Sequence, residues 1–332
     1  MWACFRISFF RRRKLQIDEK NSQKYETVIG FLQSHGFENS QIAKLVSRQP
    51  SVLHNKVSTN LKPKFEFLQE IGFDGPLLPK LILSNPVILA RSLDSQLKPS
   101  FFFLKEIVES DEKATASIWR CSWLLTFNLK GILKPNTDLL VREGIASRSI
   151  AKLIVKEPRT IMQKVDRMIQ VVKMVKELGI EPKSGMFVRA LKIRCSMSDS
   201  NWKKKINVMK SLGWSEKEIF TAFKKEPKYL GCSEEKLRDV ADFCFNTAKL
   251  DPETVISYPT LFMSALDKLR PRYKVLEVLK VKSLLKNIKI PRMLVGGERE
   301  FVEKYVVKHL NEIPNLMDIY RGNVTTGTKS VL

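Results

Sequence analysis

The triplet Leu-Lys-Pro stands at Leu61-Lys62-Pro63, at Leu97-Lys98-Pro99 and at Leu133-Lys134-Pro135, each copy 36 residues after the last. A fixed period of that length is the signature of a repeat array, in which each unit is one small motif that cannot bury its apolar face alone. Other columns keep the same phase. Thirteen residues ahead of the prolines of the first two triplets stand Pro50 and Pro86; the slot then holds Ser122, Pro158 and, as the period drifts, Cys195, Pro227 and Pro259. A glycine column runs through Gly36, Gly72, Gly144, Gly179 and Gly213, with Val108 where one is missing. A bulky apolar residue follows each glycine: Phe37, Phe73, Ile145, Ile180 and Trp214.

These columns predict the anatomy of one unit. Proline lacks an N–H and has its φ preset, so Pro63 suits the start of a helix carrying Phe65, Leu68 and Ile71 on one face. Gly72 can take the left-handed conformation that ends a helix, and Phe73 supplies the apolar contact that accompanies such a cap. A second helix follows. Its start is clearest at Ser215 and Glu218, which form a capping box. Counted back from the proline slot, Ile42, Leu78, Ile150 and Ile219 lie at eight; Leu45, Leu81, Leu153 and Ala222 at five; Val46, Ile82, Ile154 and Phe223 at four. That is one buried stripe, reused. The helix must stop near the proline, which pushes the residue before it out of the α region. Apolar pairs then follow, Val52/Leu53, Ile88/Leu89, Leu124/Leu125, Tyr229/Leu230 and Leu261/Phe262, and read as a short third turn. Ser122 and Cys195 break the proline pattern, so their units are expected to be less regular. About eight units fit between Tyr25 and the final helix. The expected fold is all-α, a solenoid of stacked helix-turn-helix repeats that share one continuous core.

Charge narrows the function. Lys+Arg number 58 against 35 Asp+Glu, a net charge of +23, while apolar residues are 43% of the chain. So large an excess calls for an anionic partner, nucleic acid first and an anionic membrane surface second. No apolar run reaches the length of a membrane span; the nearest, Trp119 to Leu129, is interrupted by Arg120. The basic clusters are Arg189, Lys192 and Arg194; Lys203-Lys204-Lys205; Lys224-Lys225; Lys268, Arg270, Arg272 and Lys274; and Lys280, Lys282, Lys286, Lys289 and Arg292. Such side chains hold phosphates by charge and by hydrogen bonds that fix register. The candidate nucleic-acid-binding residues are Arg159, Arg189, Arg194, Lys203, Lys204, Arg270, Arg272, Lys289 and Arg292. Arg270 and Arg272 have a competing structural reading, locking a helix start around Pro271. Most aromatics, Phe65, Phe101, Phe103 and Phe223 among them, sit at core spacing; Trp202 beside three lysines is the candidate for a base or sugar contact.

Chemistry of other kinds finds no motif. The cysteines, Cys4, Cys121, Cys195, Cys232 and Cys244, are odd in number and contain no CxxC, so they read as buried apolar thiols rather than as disulfides or zinc ligands. His35, His54 and His309 are isolated from one another. Asp251 and Glu253 flank Pro252 and read as a helix N-terminus. Near the C-terminus, the run Gly322 to Ser330 misses a phosphate-binding loop because Thr328 separates Gly327 from Lys329. No catalytic residue, cofactor, metal or small-molecule substrate is expected. Residues 1–17 carry Arg6, Arg11, Arg12, Arg13 and Lys14 and no acid, the composition of an organellar transit peptide. The expected division is a transit peptide at 1–20, a repeat domain at 21–322 and a flexible tail at 323–332.

With its proline after the second helix (Pro50, Pro86, Pro158, Pro227 and Pro259), the chain resembles the mitochondrial transcription termination factor (mTERF) family, in its land-plant branch. The C-terminal end is also similar: Leu269-Arg270-Pro271-Arg272-Tyr273, then Phe301 to Val306, then Ile313-Pro314-Asn315-Leu316 and Tyr320-Arg321-Gly322. The resemblance covers roughly residues 21–322. It implies a right-handed α-solenoid that binds organellar nucleic acid, in mitochondrion or chloroplast, with the mitochondrion preferred. The leading expectation is a non-enzymatic factor on double-stranded DNA, acting with the organellar transcription machinery in termination, initiation or pausing. The alternatives are a structured-RNA-binding factor for intron splicing or ribosomal RNA maturation, and a protein-interaction scaffold. No polar column of the kind a one-base-per-repeat RNA reader needs was evident.

Overall fold

The computed structural model describes residues 22–285 and 289–323. The expected transit peptide, Cys4, Lys286 and all of the expected tail beyond Asn323 lie outside the described residues. Among the described residues every regular element is helical. The chain forms two compact units divided between Gln170 and Val171.

The first unit repeats one pattern. Its helices are α1 (Ser22–Ser34), α2 (Asn39–Arg48), α3 (Lys62–Glu70), α4 (Leu77–Ser84), α5 (Lys98–Val108), α6 (Asp111–Arg120), α7 (Lys134–Arg142) and α8 (Ser147–Lys156). Tight 3-10 turns follow every second helix, at Pro50–His54, Pro86–Ala90, Ser122–Leu125 and Pro158–Thr160. Helix α9 (Val165–Glu177) spans the division. The second unit continues with α10 (Gly185–Cys195), α11 (Asp199–Ser211), α12 (Glu216–Lys225), α13 (Glu234–Asp242), α14 (Pro252–Ser257), α15 (Leu266–Val281), α16 (Ile290–Val295), α17 (Glu298–Phe301) and α18 (Leu316–Arg321), with 3-10 turns at Pro227–Gly231 and Pro259–Met263.

The apolar columns become the core. All twelve stripe residues of the second helices are buried, as are the five apolar pairs of the third turns. The glycine column caps as expected: at the end of α3, Gly72 has φ +96°, its N–H bonds Gln69 O at 2.9 Å, and Phe73 N–H bonds Leu68 O at 2.9 Å with its ring buried. This 6→1 and 5→2 pair is the Schellman arrangement. Where Val108 replaces glycine, α5 runs two residues further in phase than α3 or α7, and the left-handed conformation falls one residue later, on Glu109 at φ 55°. The capping box at Ser215 and Glu218 forms.

Three local points refine the sequence reading. First, Pro63, Pro99 and Pro135 stand in the first turn of α3, α5 and α7 as expected, but the helical path begins before them. Each follows a wide π-type turn, Val57–Leu61, Leu93–Leu97 and Leu129–Leu133, in which a backbone N–H reaches back five residues, as Lys62 N–H does to Val57 O. Proline cannot donate to the carbonyl four residues back, and one widened turn lets the helix pass it. The leucine of each triplet is fully buried at the join. Second, the Ser122 unit is regular, because the 3-10 turn forms without proline. Third, the Cys195 unit is the irregular one, as expected: its slot has no 3-10 turn, α10 runs through it and the chain passes to the Ser198 N-cap of α11.

At five of the six third turns, a side-chain donor from the same repeat's first helical segment meets a carbonyl in the turn or just after it. Lys64 Nζ donates to Leu89 O at 2.6 Å; Gln96 Nε2 to Phe127 O at 2.8 Å; Asn136 Nδ2 to Ile161 O at 2.9 Å and Gln163 O at 2.7 Å. In the second unit Lys205 donates to Cys232 O, and Lys236 Nζ to Met263 O at 2.9 Å. Burial pulls the Lys64 ammonium below its ordinary pKa. Part of the basic excess is therefore structural.

Leu81, 1% exposed at the centre of the first unit's stripe, tests the packing. Leu81→Ala is expected to destabilise the protein by about 2–5 kcal/mol in denaturant unfolding followed by circular dichroism; a loss under about 0.5 kcal/mol would refute this core.

Candidate nucleic-acid interface

The nine sequence candidates divide by burial. Arg159, Arg189, Lys203, Lys204, Arg270, Lys289 and Arg292 are exposed; Arg194 and Arg272 are buried. Arg159 stands on the Pro158–Thr160 turn, and Arg189 on α10 faces Glu226 at 3.4 Å. Lys203 and Lys204 share the outer side of α11. Lys289 and Arg292 line one cleft of about 810 Å³ together with Lys304 and Tyr305, where Glu300 sits 3.9 Å from Lys304. The sequence reading missed Lys304.

Arg194 and Arg272 are corrections. The Arg194 guanidinium bonds Met197 O at 3.3 Å and Asp199, and lies 5.3 Å from the centre of the Trp202 ring. Trp202 itself is buried, edge-on to Phe223 at 5.4 Å, so it is not placed to contact a base. Three lysines beside a tryptophan in sequence occupy different sides of a helix: Trp202 and Lys205 point in, Lys203 and Lys204 out. Arg272 is 0% exposed. It donates to Leu294 O at 3.0 Å, Gly296 O at 2.7 Å and Glu298 at 2.6 Å, and lies 4.6 Å from the centre of the Phe301 ring. Nor does it lock a helix start, since α15 begins at Leu266 and passes through Pro271. A guanidinium surrounded in this way has no face left for phosphate.

The exposed cations that keep the repeat's phase lie elsewhere. Six residues before the proline slot stand Lys44, Lys80, Lys152 and Arg189, with Ala116, Thr221 and Glu253 in the other repeats; two before it stand Arg48, Arg120, Lys156 and Lys225, with Ser84, Ile193 and Ser257 in the others, and all eight cations are exposed. Positions four apart share a helix face, and this face is turned away from the buried stripe. Successive second helices are neighbours: α2 packs on α4 and α6 on α8 in the first unit, α10 on α12 in the second. Arg48 on α2 reaches across to Leu83 O on α4, and Ser84 Oγ at the end of α4 bonds Ser122 Oγ at 2.7 Å in the turn that follows α6. Arg148 extends the stripe of α8, and with Lys113, Lys152 and Lys156 it lines a cleft of about 470 Å³. The first unit thus presents a cationic row running across its stacked second helices; in the second unit the same columns hold Arg189, paired with Glu226, and Lys225. Of this row the sequence reading had singled out Arg189, and Lys225 within a cluster. The count back from proline that found the core would have found the rest.

Two outcomes test the Arg272 assignment. Arg272→Ala orphans the Leu294 and Gly296 carbonyls, at about 1–3 kcal/mol each, and is expected to lower the melting temperature sharply. A bond from the Tyr320 hydroxyl and another from Arg272 hold the Glu298 carboxyl below its ordinary pKa. A depressed carboxylate adds stability above its unfolded pKa and loses it as pH falls through the folded value. Stability measured from neutral pH down into the acid range is expected to fall less in Glu298→Gln than in the native protein over that window.

The mTERF family model matches residues 29–195 and 190–302. No curated protein matches the chain. The family is one of nucleic-acid-binding helical-repeat proteins, generally organellar. Its match spans the repeats of both units and ends just past the Arg272 latch, and on that extent the chain belongs to the mTERF family.

Proposed function

We propose that the protein is a non-enzymatic organellar factor that binds double-stranded DNA through the cationic rows of its second helices and regulates transcription, by termination, initiation or pausing. The observation that carries this reading is the constant phase of Lys44, Lys80, Lys152 and Arg189, with Arg48, Arg120, Lys156 and Lys225 one turn on. Cations at a structural repeat suit a ligand whose charge also repeats, and a nucleic-acid backbone is such a ligand. The duplex is favoured over a single strand by what the rows lack. Neither column position holds an aromatic residue in any repeat, whereas unpaired bases are held largely by stacking on aromatic rings. Arg159, Arg270, Lys203, Lys204, Lys289 and Arg292 are proposed as further phosphate contacts, the last two with Lys304.

The land-plant branch and the mitochondrion are part of the same proposal, resting on the C-terminal motifs and on the composition of residues 1–17. A reporter carrying residues 1–24 is expected to enter mitochondria; a cytosolic reporter would remove that support.

Each neutralised phosphate on B-DNA contributes about −0.9 to the slope of log affinity against log salt. Lys152→Ala with Lys156→Ala is expected to make the slope shallower by about two if both touch phosphate, at an unchanged melting temperature. Arg272→Ala is expected to leave the slope alone. Structured or single-stranded RNA bound more tightly than duplex DNA at equal salt, or binding insensitive to salt, would overturn the reading.

A further inference from the structure

We propose that the first unit carries, apart from its cationic rows, a docking groove for a cationic amphipathic helix of a partner protein. The groove has a volume of about 880 Å³ and runs between α3, α5 and α6. Its floor is apolar, with Phe67, Phe73 and Phe101 buried. On its walls stand Phe102, 55% exposed, and Trp119, 49% exposed. The Trp119 ring lies 6.4 Å from Phe73, and Phe102 packs edge-on to Phe101 at 5.7 Å. Exposed Val141, Ile169, Val281 and Val307 are single aliphatic side chains of the kind any surface shows. Two large aromatics converging over an aromatic floor form a continuous patch, and such patches mark interaction sites.

Charge selects the occupant. The rim carries Glu70, Asp111 and Glu112 against Lys98 and Lys105. Lys98 is paired with Asp94 at 2.9 Å, and Lys105 and Asp111 with each other at 2.8 Å, which leaves Glu70 and Glu112 as the rim's charges outside an ion pair. On a chain of net charge +23 this rim is acidic, while the cleft at Lys152 and the cleft at Lys289 are basic. A phosphate backbone is disfavoured there. A peptide with apolar side chains toward the floor and Lys or Arg along its edge satisfies both floor and rim. A trough between packed helices accepts another helix by the ridges-into-grooves rule, with anchors at i, i+3 or i+4, and i+7. The molecule thus divides its surface, nucleic acid on the basic rows and protein on the acidic aromatic groove.

The probe is a synthetic amphipathic peptide of about 16 residues, four helical turns, with Leu and Phe anchors and a lysine edge. A second peptide replaces each lysine by glutamate. Binding to the full chain is read by fluorescence anisotropy at physiological salt. The lysine peptide is expected to bind, and the glutamate peptide at least about tenfold more weakly. Trp119→Ala and Phe102→Ala are each expected to weaken the lysine peptide by about tenfold, as aromatic anchors at an interface centre do. Glu70→Lys is expected to weaken it while sparing the melting temperature, and none of the three should change DNA affinity. Equal binding of the two peptides, no binding of either, or insensitivity to Trp119→Ala and Phe102→Ala overturns the proposal. A concentration-dependent dimer that Trp119→Ala abolishes would make a second copy the occupant, and tighter peptide binding after removal of residues 1–21 would make the chain's own N-terminal segment the occupant; either result overturns it.

Discussion

At five of the six third turns, a donor reaches from the repeat's first helical segment to a carbonyl in the turn or just after it. A buried orphan acceptor costs about 1–3 kcal/mol. Lys64, Gln96, Asn136, Lys205 and Lys236 meet that demand, and Arg272 does the same for the carbonyls at the end of α16. The chemistry varies while the geometry holds: amide and ammonium reach the same place. With its turn secured, a repeat presents the Val52/Leu53 kind of apolar pair to the core, and the next unit has a surface to stack on. Lysine and arginine serve this role well, since they only donate and their long stems pack against apolar neighbours.

This constraint changes how the basic excess is understood. A net charge of +23 invites every lysine and arginine to be read as a phosphate ligand. Several of them instead hold the scaffold, and Arg272 does so most completely: three acceptors, one aromatic face and no exposure. The cations left for a partner form rows, because they ride on the same second helices whose opposite side is the buried stripe. On the proposed reading, folding and binding use two faces of one helix, counted in the same period.

The first unit also shows that a strongly basic protein need not be basic everywhere. Phe102 and Trp119 lie over an aromatic floor, and once Lys98 is paired with Asp94 and Lys105 with Asp111 their rim keeps Glu70 and Glu112. On the two proposals above, separate surfaces would let one factor hold nucleic acid and a protein at once without competition between like charges.

The sequence by itself determined the repeat, the burial of its stripes and the positions of its caps. Those features depend on contacts within a unit or between adjacent units, so they recur at a fixed offset and can be counted. Ile42, Leu81 and Ile154 fell where counting put them, and so did the caps at Gly72 and Ser215. Lys152 and Lys156 were equally countable but were passed over in favour of clusters along the chain. Clusters mislead because neighbours in sequence point to different sides of a helix, as Trp202, Lys203, Lys204 and Lys205 do. Only the tertiary structure decided that Arg194 and Arg272 face inward, because their partners at Trp202, Leu294 and Glu298 are brought to them by packing. It alone showed the wide turns ahead of Pro63, Pro99 and Pro135, where the helix must continue past a residue that cannot donate. It also brought Phe102, Trp119 and Glu70 to one groove from three separate helices, a meeting that no single period in the sequence encodes.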